Sequence, residues 1–174
     1  PSTSSGTFGS AKGTNIPSSA GNYYENITSN NIQGLTANAY TESISLLANK
    51  DAYKYNVLVA PGLISSHGAP SSTAITQIQT TVQERGDAIA IIDLVPYNAQ
   101  IGTVTSTVSS YNTPYVATYW PWLKTVDPNT GNQVWVPAST MIPSVYAFND
   151  SVAAPWFAPA DINRGILPTV IQAE

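Results

Sequence analysis

Four side chains in two neighbouring segments have the residue types of a hydrolytic triad. Ser65, Ser66 and His67 follow one another in a loop that contains glycine, and Asp93 closes the next apolar run. Serine, histidine and aspartate can supply a nucleophile, a general base and a group that orients the base. However, neighbours such as Ser66 and His67 cannot easily form the nucleophile–base hydrogen bond, and the G-x-S-x-G motif is absent. The other interpretation is a polar loop in which His67 binds backbone groups and Asp93 satisfies a turn.

Other kinds of catalytic or cofactor site lack their residues in this sequence. Neither G-x-x-x-x-G-K-[ST] nor G-x-G-x-x-G is present, so a phosphate-binding loop is not indicated. One histidine and no cysteine disfavour a zinc site, and the ten acidic residues form no pair suited to a hard cation. We therefore expect a protein that is not an enzyme, with no catalytic, cofactor-binding or metal-binding residues and no cofactor. The alternative that stays open is an α/β hydrolase-like enzyme that uses Ser65 or Ser66 with His67 and Asp93.

Three apolar runs predict the strands that would position these residues. Residues 55–60 form the first run, which ends at Pro61-Gly62, and residues 88–94 form a second run that is apolar on both faces. Residues 115–120 have strong β propensity and predict the third strand. Helical patterns separate the runs, so we expect a small, mainly parallel sheet with right-handed crossovers, flanked by helices.

Three helices are predicted around this sheet. The strongest pattern begins at Ser71 or Ser72, either of which can cap the helix, and ends at Gly86. Two weaker patterns lie within residues 35–50 and 100–110. The side chains predicted to face inward, in chain order, are Ala39, Ser43, Leu46, Leu47, Ala74, Ile75, Ile78, Val82, Ile101, Val104 and Val108.

A β-hairpin is predicted after the third strand. Residues 122–126 and 133–137 are rich in β-forming residues and flank the turn sequence D-P-N-T-G-N. A helix over residues 138–148 follows, with Pro143 tolerated in its first turn or at a kink. The last ten residues, GILPTVIQAE, predict an unfinished helix.

The chain divides into two parts by composition. Residues 1–35 are rich in Ser, Gly, Thr and Asn and predict a linker or the edge of an upstream domain, whereas residues 36–174 form the α/β domain. An initiator methionine and a signal peptide are both missing from the start. We therefore expect the chain to be a fragment of a larger multidomain subunit.

Charge is sparse and carries information about partners. Charged residues make up 9% of the chain, the net charge is −4, and the six basic residues are scattered, so direct nucleic-acid binding is not expected. No apolar run reaches the length of a membrane span, so membrane insertion is not expected either. A weakly charged surface repels copies of itself little, which suits a protein that packs against its own kind.

Aromatic side chains concentrate in and around the predicted hairpin and in a later loop. Some should pack in the core, and the others could anchor contacts between subunits, where Tyr and Trp are enriched. A further alternative is a carbohydrate- or surface-binding module that uses Trp122 and Trp135. The residues concerned are Tyr115, Tyr119, Trp120, Trp122, Trp135, Trp156 and Phe157.

The run from residue 115 to residue 137, YVATYWPWLKTVDPNTGNQVWVP, resembles the central region of contractile tail sheath proteins. That family has a Tyr-rich strand and P-W, then a D-P-x-T-G turn and a W-V-P segment. Downstream, SVYAFND, A-P-A and Arg164-Gly165 also match, and upstream the segments at 57–62, 84–87 and 90–96 do. Phe148 and Asn149 depart from the family's Arg-Thr, and the family's C-terminal region has no counterpart. The resemblance covers roughly residues 50–174, and its specificity lies in the order of the pieces.

The resemblance implies a structural subunit rather than an enzyme. Such subunits form a helical homo-oligomer of stacked rings around a tail tube, and they contact the tube protein, the baseplate and the tail terminator. Contraction of the sheath drives the tube through the host envelope. The expected location is the virion, in the phage tail, with assembly in the host cytoplasm.

Overall fold

The structure, a computed structural model, describes residues 37–68, 71–154 and 156–174. Its helices are α1 (Ala37–Leu47), α2 (Ser71–Arg85), α3 (Ile101–Val108), α4 (Ile142–Val152) and α5 (Asp161–Arg164). Its strands are β1 (Val57–Ile64), β2 (Ile89–Asp93), β3 (Val116–Thr118), β4 (Leu123–Val126), β5 (Gln133–Val136) and β6 (Val170–Ala173). Single 3-10 turns occur at Ser65–His67 and Ala138–Thr140. The predicted linker at residues 1–35 lies outside the described residues.

The predicted parallel sheet is confirmed, with strand order β1-β2-β3. Val57 pairs with Ile89, and Ala90 pairs with Val116, so β2 is the central strand. Strand β2 is buried because it lies between two neighbours and beneath α2, which packs on both β1 and β2. Helix α1 packs on α2 in turn. The core therefore lies between the sheet and α2, and its fully buried members include Ala74, Ile75, Ile78, Val82, Ala90 and Ile92.

Strand β1 does not end at Pro61-Gly62, as the sequence predicts, but continues to Ile64. The pairing with β2 shifts register between Val59 and Ile64, and Gly62 has a φ of 91°. Proline has no N–H to donate to a ladder, so it is tolerated on an edge strand and at an irregularity. Here β1 is an edge strand, and the Pro-Gly pair forms a bulge within it instead of a turn after it.

The predicted hairpin is confirmed, but it belongs to a larger sheet. Strands β4 and β5 pair antiparallel from Leu123–Val136 to Val126–Gln133, and β6 pairs with the other side of β4. The predicted terminal helix is therefore wrong, because α5 ends at Arg164 and the last residues form β6. Pro168 cannot continue a helix, and the β-branched Val170 and Ile171 favour a strand once β4 offers its free edge.

The predicted inward faces of the two weaker helices are wrong in part. Ile101 is 64% exposed and Val108 is also exposed, whereas Val104 packs against the core. A helix of two turns meets the core over one turn, and that turn is centred on Val104. In α1 the buried residue is Ile44, and Leu46 is exposed. The stripe predicted for α2 is confirmed throughout.

The end of α2 depends on a left-handed glycine, and a substitution there is expected to be costly. Gly86 has a φ of 69°, and an added Cβ would meet nothing closer than the Tyr115 hydroxyl at 3.9 Å. We expect Gly86→Ala to lower the free energy of unfolding by about 1 kcal/mol through backbone strain alone. The matched control is Gly102→Ala, which lies within α3 with open space around it. That change should raise stability by about 0.5–1 kcal/mol. Equal effects of the two changes in urea unfolding would contradict this account.

Candidate functional site

The four triad-type residues lie where β1 and β2 end, at the same side of the parallel sheet. Ile64 pairs with Asp93, so the 3-10 turn Ser65–His67 begins beside the end of β2. The backbone N–H of Ser66 donates to the carbonyl of Leu94 at 3.1 Å, which fixes the turn against the strand. Their positions alone would therefore allow a catalytic site, and their hydrogen bonds decide whether they can act together.

Asp93 is a buried carboxylate with its own partners. It is 4% exposed, and Ser139 donates to it twice, from Oγ to Oδ2 at 2.5 Å and from the backbone N–H to Oδ1 at 3.4 Å. Burial raises the pKa of Asp93, and the hydrogen bonds from Ser139 oppose that rise. Asp93 thus joins the parallel sheet to the turn that follows β5, a wider role than the predicted local turn.

The serine and histidine side chains do not converge on Asp93. The Ser65 hydroxyl hydrogen bonds to the Tyr111 hydroxyl. Within the described residues Nδ1 of His67 is buried without a hydrogen-bond partner, so the predicted backbone bond is not found at that atom. Burial lowers the pKa of His67, which favours the neutral imidazole. Across the described ranges, no hydrogen bond links the side chains of Ser65, Ser66 or His67 to Asp93.

Aromatic packing makes a second connection between the sheet and the hairpin. The indole N–H of Trp122 donates to the carbonyl of Val95 at 3.1 Å. The Tyr97 ring lies edge-on to Trp122, with centroids 6.0 Å apart, and 5.0 Å from the centroid of Trp135. The ammonium of Lys124 lies 5.5 Å from the Trp135 ring. These contacts hold the β4–β5 hairpin against the segment after β2.

The D-P-x-T-G turn is organised by the carboxylate of Asp127. It accepts from the Thr130 hydroxyl at 2.6 Å and from the Asn129 backbone N–H at 2.9 Å. These hydrogen bonds lower the pKa of Asp127. Gly131 has a φ of 73°, and its N–H donates to the carbonyl of Asp127 at 2.8 Å. The motif residues therefore build the turn that links β4 to β5.

The aromatic residues separate into a half-buried group and an exposed group. Tyr115 packs against the core, while Tyr119, Trp120 and Phe157 are exposed and Trp156 is 83% exposed. The Tyr119 and Tyr146 hydroxyls hydrogen bond at 2.5 Å; burial and this bond raise the pKa of Tyr146. Only the three-dimensional arrangement separates the two groups, because the sequence has aromatic residues in both.

Arg85 is a central polar residue that the sequence analysis did not identify. It is 3% exposed and donates to the carbonyls of Leu47 at 2.7 Å and Tyr53 at 3.1 Å. It pairs with the Asp87 carboxylate at 2.9 Å, and its guanidinium carbon lies 4.2 Å from the Tyr55 ring centroid. The E-R-G-D sequence contains both charges, but it carries no signal that the arginine is buried.

A cavity of about 550 Å³ opens where β1 and β2 begin. Among its lining residues is Asn149, which is 2% exposed and donates from Nδ2 to the carbonyl of Phe157 at 3.0 Å. Its Oδ1 has no partner among the described residues.

The described residues contain no cluster of three or more acidic or histidine side chains able to hold a metal. No helix in the described part is long and apolar enough to span a bilayer.

The arrangement at the sheet edge is therefore one of structural contacts. The carboxylate that a triad would need is bound by Ser139, the Ser65 hydroxyl is bound by Tyr111, and His67 is unpaired at Nδ1. Ser139 and Tyr111 were not singled out, because a serine or tyrosine that reaches a distant partner leaves no local pattern. Comparison with models of known protein families finds no match to this chain, and comparison with curated proteins finds none either.

Proposed function

We propose that this chain is part of the structural subunit of a contractile tail sheath. In this proposal, subunits stack as rings in a helical homo-oligomer around a tail tube, within a virion. The subunits also bind the tube, baseplate and tail terminator proteins. Contraction converts one packing of the same subunits into another, and the free-energy difference between the two packings does the work. No nucleotide chemistry is needed.

One observation carries the proposal: the residues of the resembling segment make contacts that hold the domain together. Trp122 binds the Val95 carbonyl, Asp127 builds the hairpin turn, and Trp135 packs on Tyr97. A subunit that transmits force through a lattice needs its parts joined firmly, because a loose hairpin would absorb the movement. The hydrogen bond between Asp93 and Ser139 supports the same role, since it joins the parallel sheet to the turn that follows β5.

The alternatives receive less support from the geometry. A hydrolase needs a base that reaches its nucleophile, and the hydrogen bonds of Ser65 and Asp93 lead elsewhere. A carbohydrate-binding module would need open aromatic faces beside polar groups. Trp122 and Trp135 instead pack around Tyr97, and both are only half-exposed.

Electron microscopy of the full-length protein tests the proposal. We expect the purified protein to form tubes of stacked rings, visible in negative stain. Heat-denatured protein serves as a control against tubular precipitate and should give no tubes. Discrete, well-folded monomers of the full-length protein at all concentrations would count against the proposal.

A further inference from the structure

Six large apolar side chains are exposed within a short stretch that begins in α4 and continues past α5. Trp156 is 83% exposed and Ile162 is 80% exposed, the two highest values among the large apolar residues described. Exposed apolar residues scattered singly are ordinary, whereas a concentration of them marks an interaction surface. We call this concentration the 148–166 surface; its members are Phe148, Val152, Trp156, Phe157, Ile162 and Ile166.

The 148–166 surface is held in place by specific contacts. Nδ2 of Asn149 donates to the Phe157 carbonyl at 3.0 Å, which ties the loop to α4. The guanidinium carbon of Arg164 lies 4.9 Å from the Phe157 ring centroid, and its Nε donates to the Ala158 carbonyl at 3.4 Å. Helices α4 and α5 also contact each other. A surface ordered in advance pays less entropy on binding than a loose segment does.

The charges within this stretch are few and largely cancel. Arg164 and Asp161 form an ion pair at 3.1 Å, which leaves Asp150 as the other charged residue between 148 and 166. A surface with one net negative charge would not attract anionic lipid headgroups, which bind basic residues. Aliphatic residues such as Ile162 also offer nothing for sugar hydroxyls to hydrogen bond. Near-neutral apolar surface suits contact with another protein surface of the same kind.

We propose that a second copy of this chain covers the 148–166 surface. With aromatic side chains of about 150–250 Å² each, covering the six residues removes on the order of 700 Å² from water per copy. A stable, specific interface buries about 800 Å² per partner, so the area of these six side chains is close to what such an interface needs. Trp is also enriched among interface hot spots, and Trp156 is the most exposed of the six residues. The inference rests on the proposed function, and it deepens that function by naming a surface through which subunits meet.

Sedimentation velocity on the 174-residue chain tests this contact, with two isoleucines as a matched pair. Ile162→Glu places a charge within the 148–166 surface, and Ile101→Glu makes the same change at an exposed position of α3. We expect the wild-type chain to self-associate, and Ile162→Glu to raise the dissociation constant about tenfold or more. Ile101→Glu should leave it within about twofold. Trp156→Ser should act like Ile162→Glu, and circular dichroism should show that every variant folds.

Each outcome bears on the inference separately from the proposed function. A wild-type chain that stays monomeric up to about 100 µM, a concentration at which such an interface should form, would overturn it. Equal weakening of self-association by Ile101→Glu and Ile162→Glu would also overturn it, because the effect would then come from the added charge and not from its position in the 148–166 surface. Tubes of the full-length protein that persist with Ile162→Glu would leave the proposed function standing and remove this contact. If the 174-residue chain associates in a way that depends on Ile162 but the full-length protein forms no tubes, the contact would stand and the proposed function would not.

Discussion

Replacing Arg85 with alanine is expected to lower the free energy of unfolding by about 3–5 kcal/mol, because the change removes a buried side chain that joins α2 to Leu47 and Tyr53. The carbonyls of Leu47 and Tyr53 would lose the guanidinium N–H groups that bind them. The contact with the Tyr55 ring would be lost as well, and a cavity would remain. The exposed partner Asp87 contributes less to this cost, since water can solvate its carboxylate.

Urea unfolding measures this effect, and Arg164 provides the matched control. Arg164 also pairs with an aspartate at 3.1 Å, but both side chains are partly exposed. Arg164→Ala should therefore cost about 0–1 kcal/mol, as solvent-exposed ion pairs do. Arg85→Lys should recover only part of the loss, because an ammonium cannot donate in the directions of a planar guanidinium. A cost below about 1 kcal/mol for Arg85→Ala would contradict the role assigned to it.

The second large effect is expected at the contact between Asp93 and Ser139. Ser139→Ala should lower the free energy of unfolding at pH 7 by about 2–4 kcal/mol, because it leaves a buried carboxylate with one partner fewer. The control is Ser144→Ala, since the exposed Ser144 hydroxyl donates to the Met141 carbonyl at 2.6 Å. That change should cost about 0.5 kcal/mol or less. Equal effects of the two substitutions would contradict the stabilising role assigned to the hydrogen bond between Asp93 and Ser139.

The pH dependence of stability gives an independent measure of this contact. Burial raises the pKa of Asp93 above the value of 3.8 for the unfolded chain, so the folded state binds the proton more tightly. This contribution to stability is fully present below pH 3.8 and is lost as pH rises through the folded pKa. The Asp93→Asn variant cannot titrate there. Wild-type stability, relative to Asp93→Asn, should therefore fall with rising pH across that window, and a rise would contradict the assigned direction.

Local patterns explain why a large part of the fold could be predicted. Helix α2 has an apolar stripe at helical spacing and a glycine at its end, and both features act within a few residues. The same holds for the hairpin, where Asp127, Thr130 and Gly131 determine the turn among themselves. The central strand β2 is a continuous run of β-forming apolar residues, which marks a strand by its own composition. In each case the physical cause lies inside the segment.

Predictions failed where a distant partner decides the outcome. Residues 170–173 become a strand because β4 has a free edge for them, and Ile101 stays exposed because the core meets α3 at Val104. Likewise, the triad-type residues reach the same sheet edge, but Ser139 and Tyr111 take up Asp93 and Ser65. Asp93 and Ser139 lie 46 positions apart in the sequence, and so do Ser65 and Tyr111.

The sequence by itself determined the α/β class, the strongest helix, the hairpin with its D-P-N-T-G turn, and the scarcity of charge. The first three follow from backbone preferences and local periodicity, and the scarcity of charge follows from composition alone. The tertiary structure alone decided that Arg85 is buried, that Asp93 binds Ser139, and which aromatic side chains face water. Burial and hydrogen bonding depend on which distant groups pack together, and that information is spread over the whole chain.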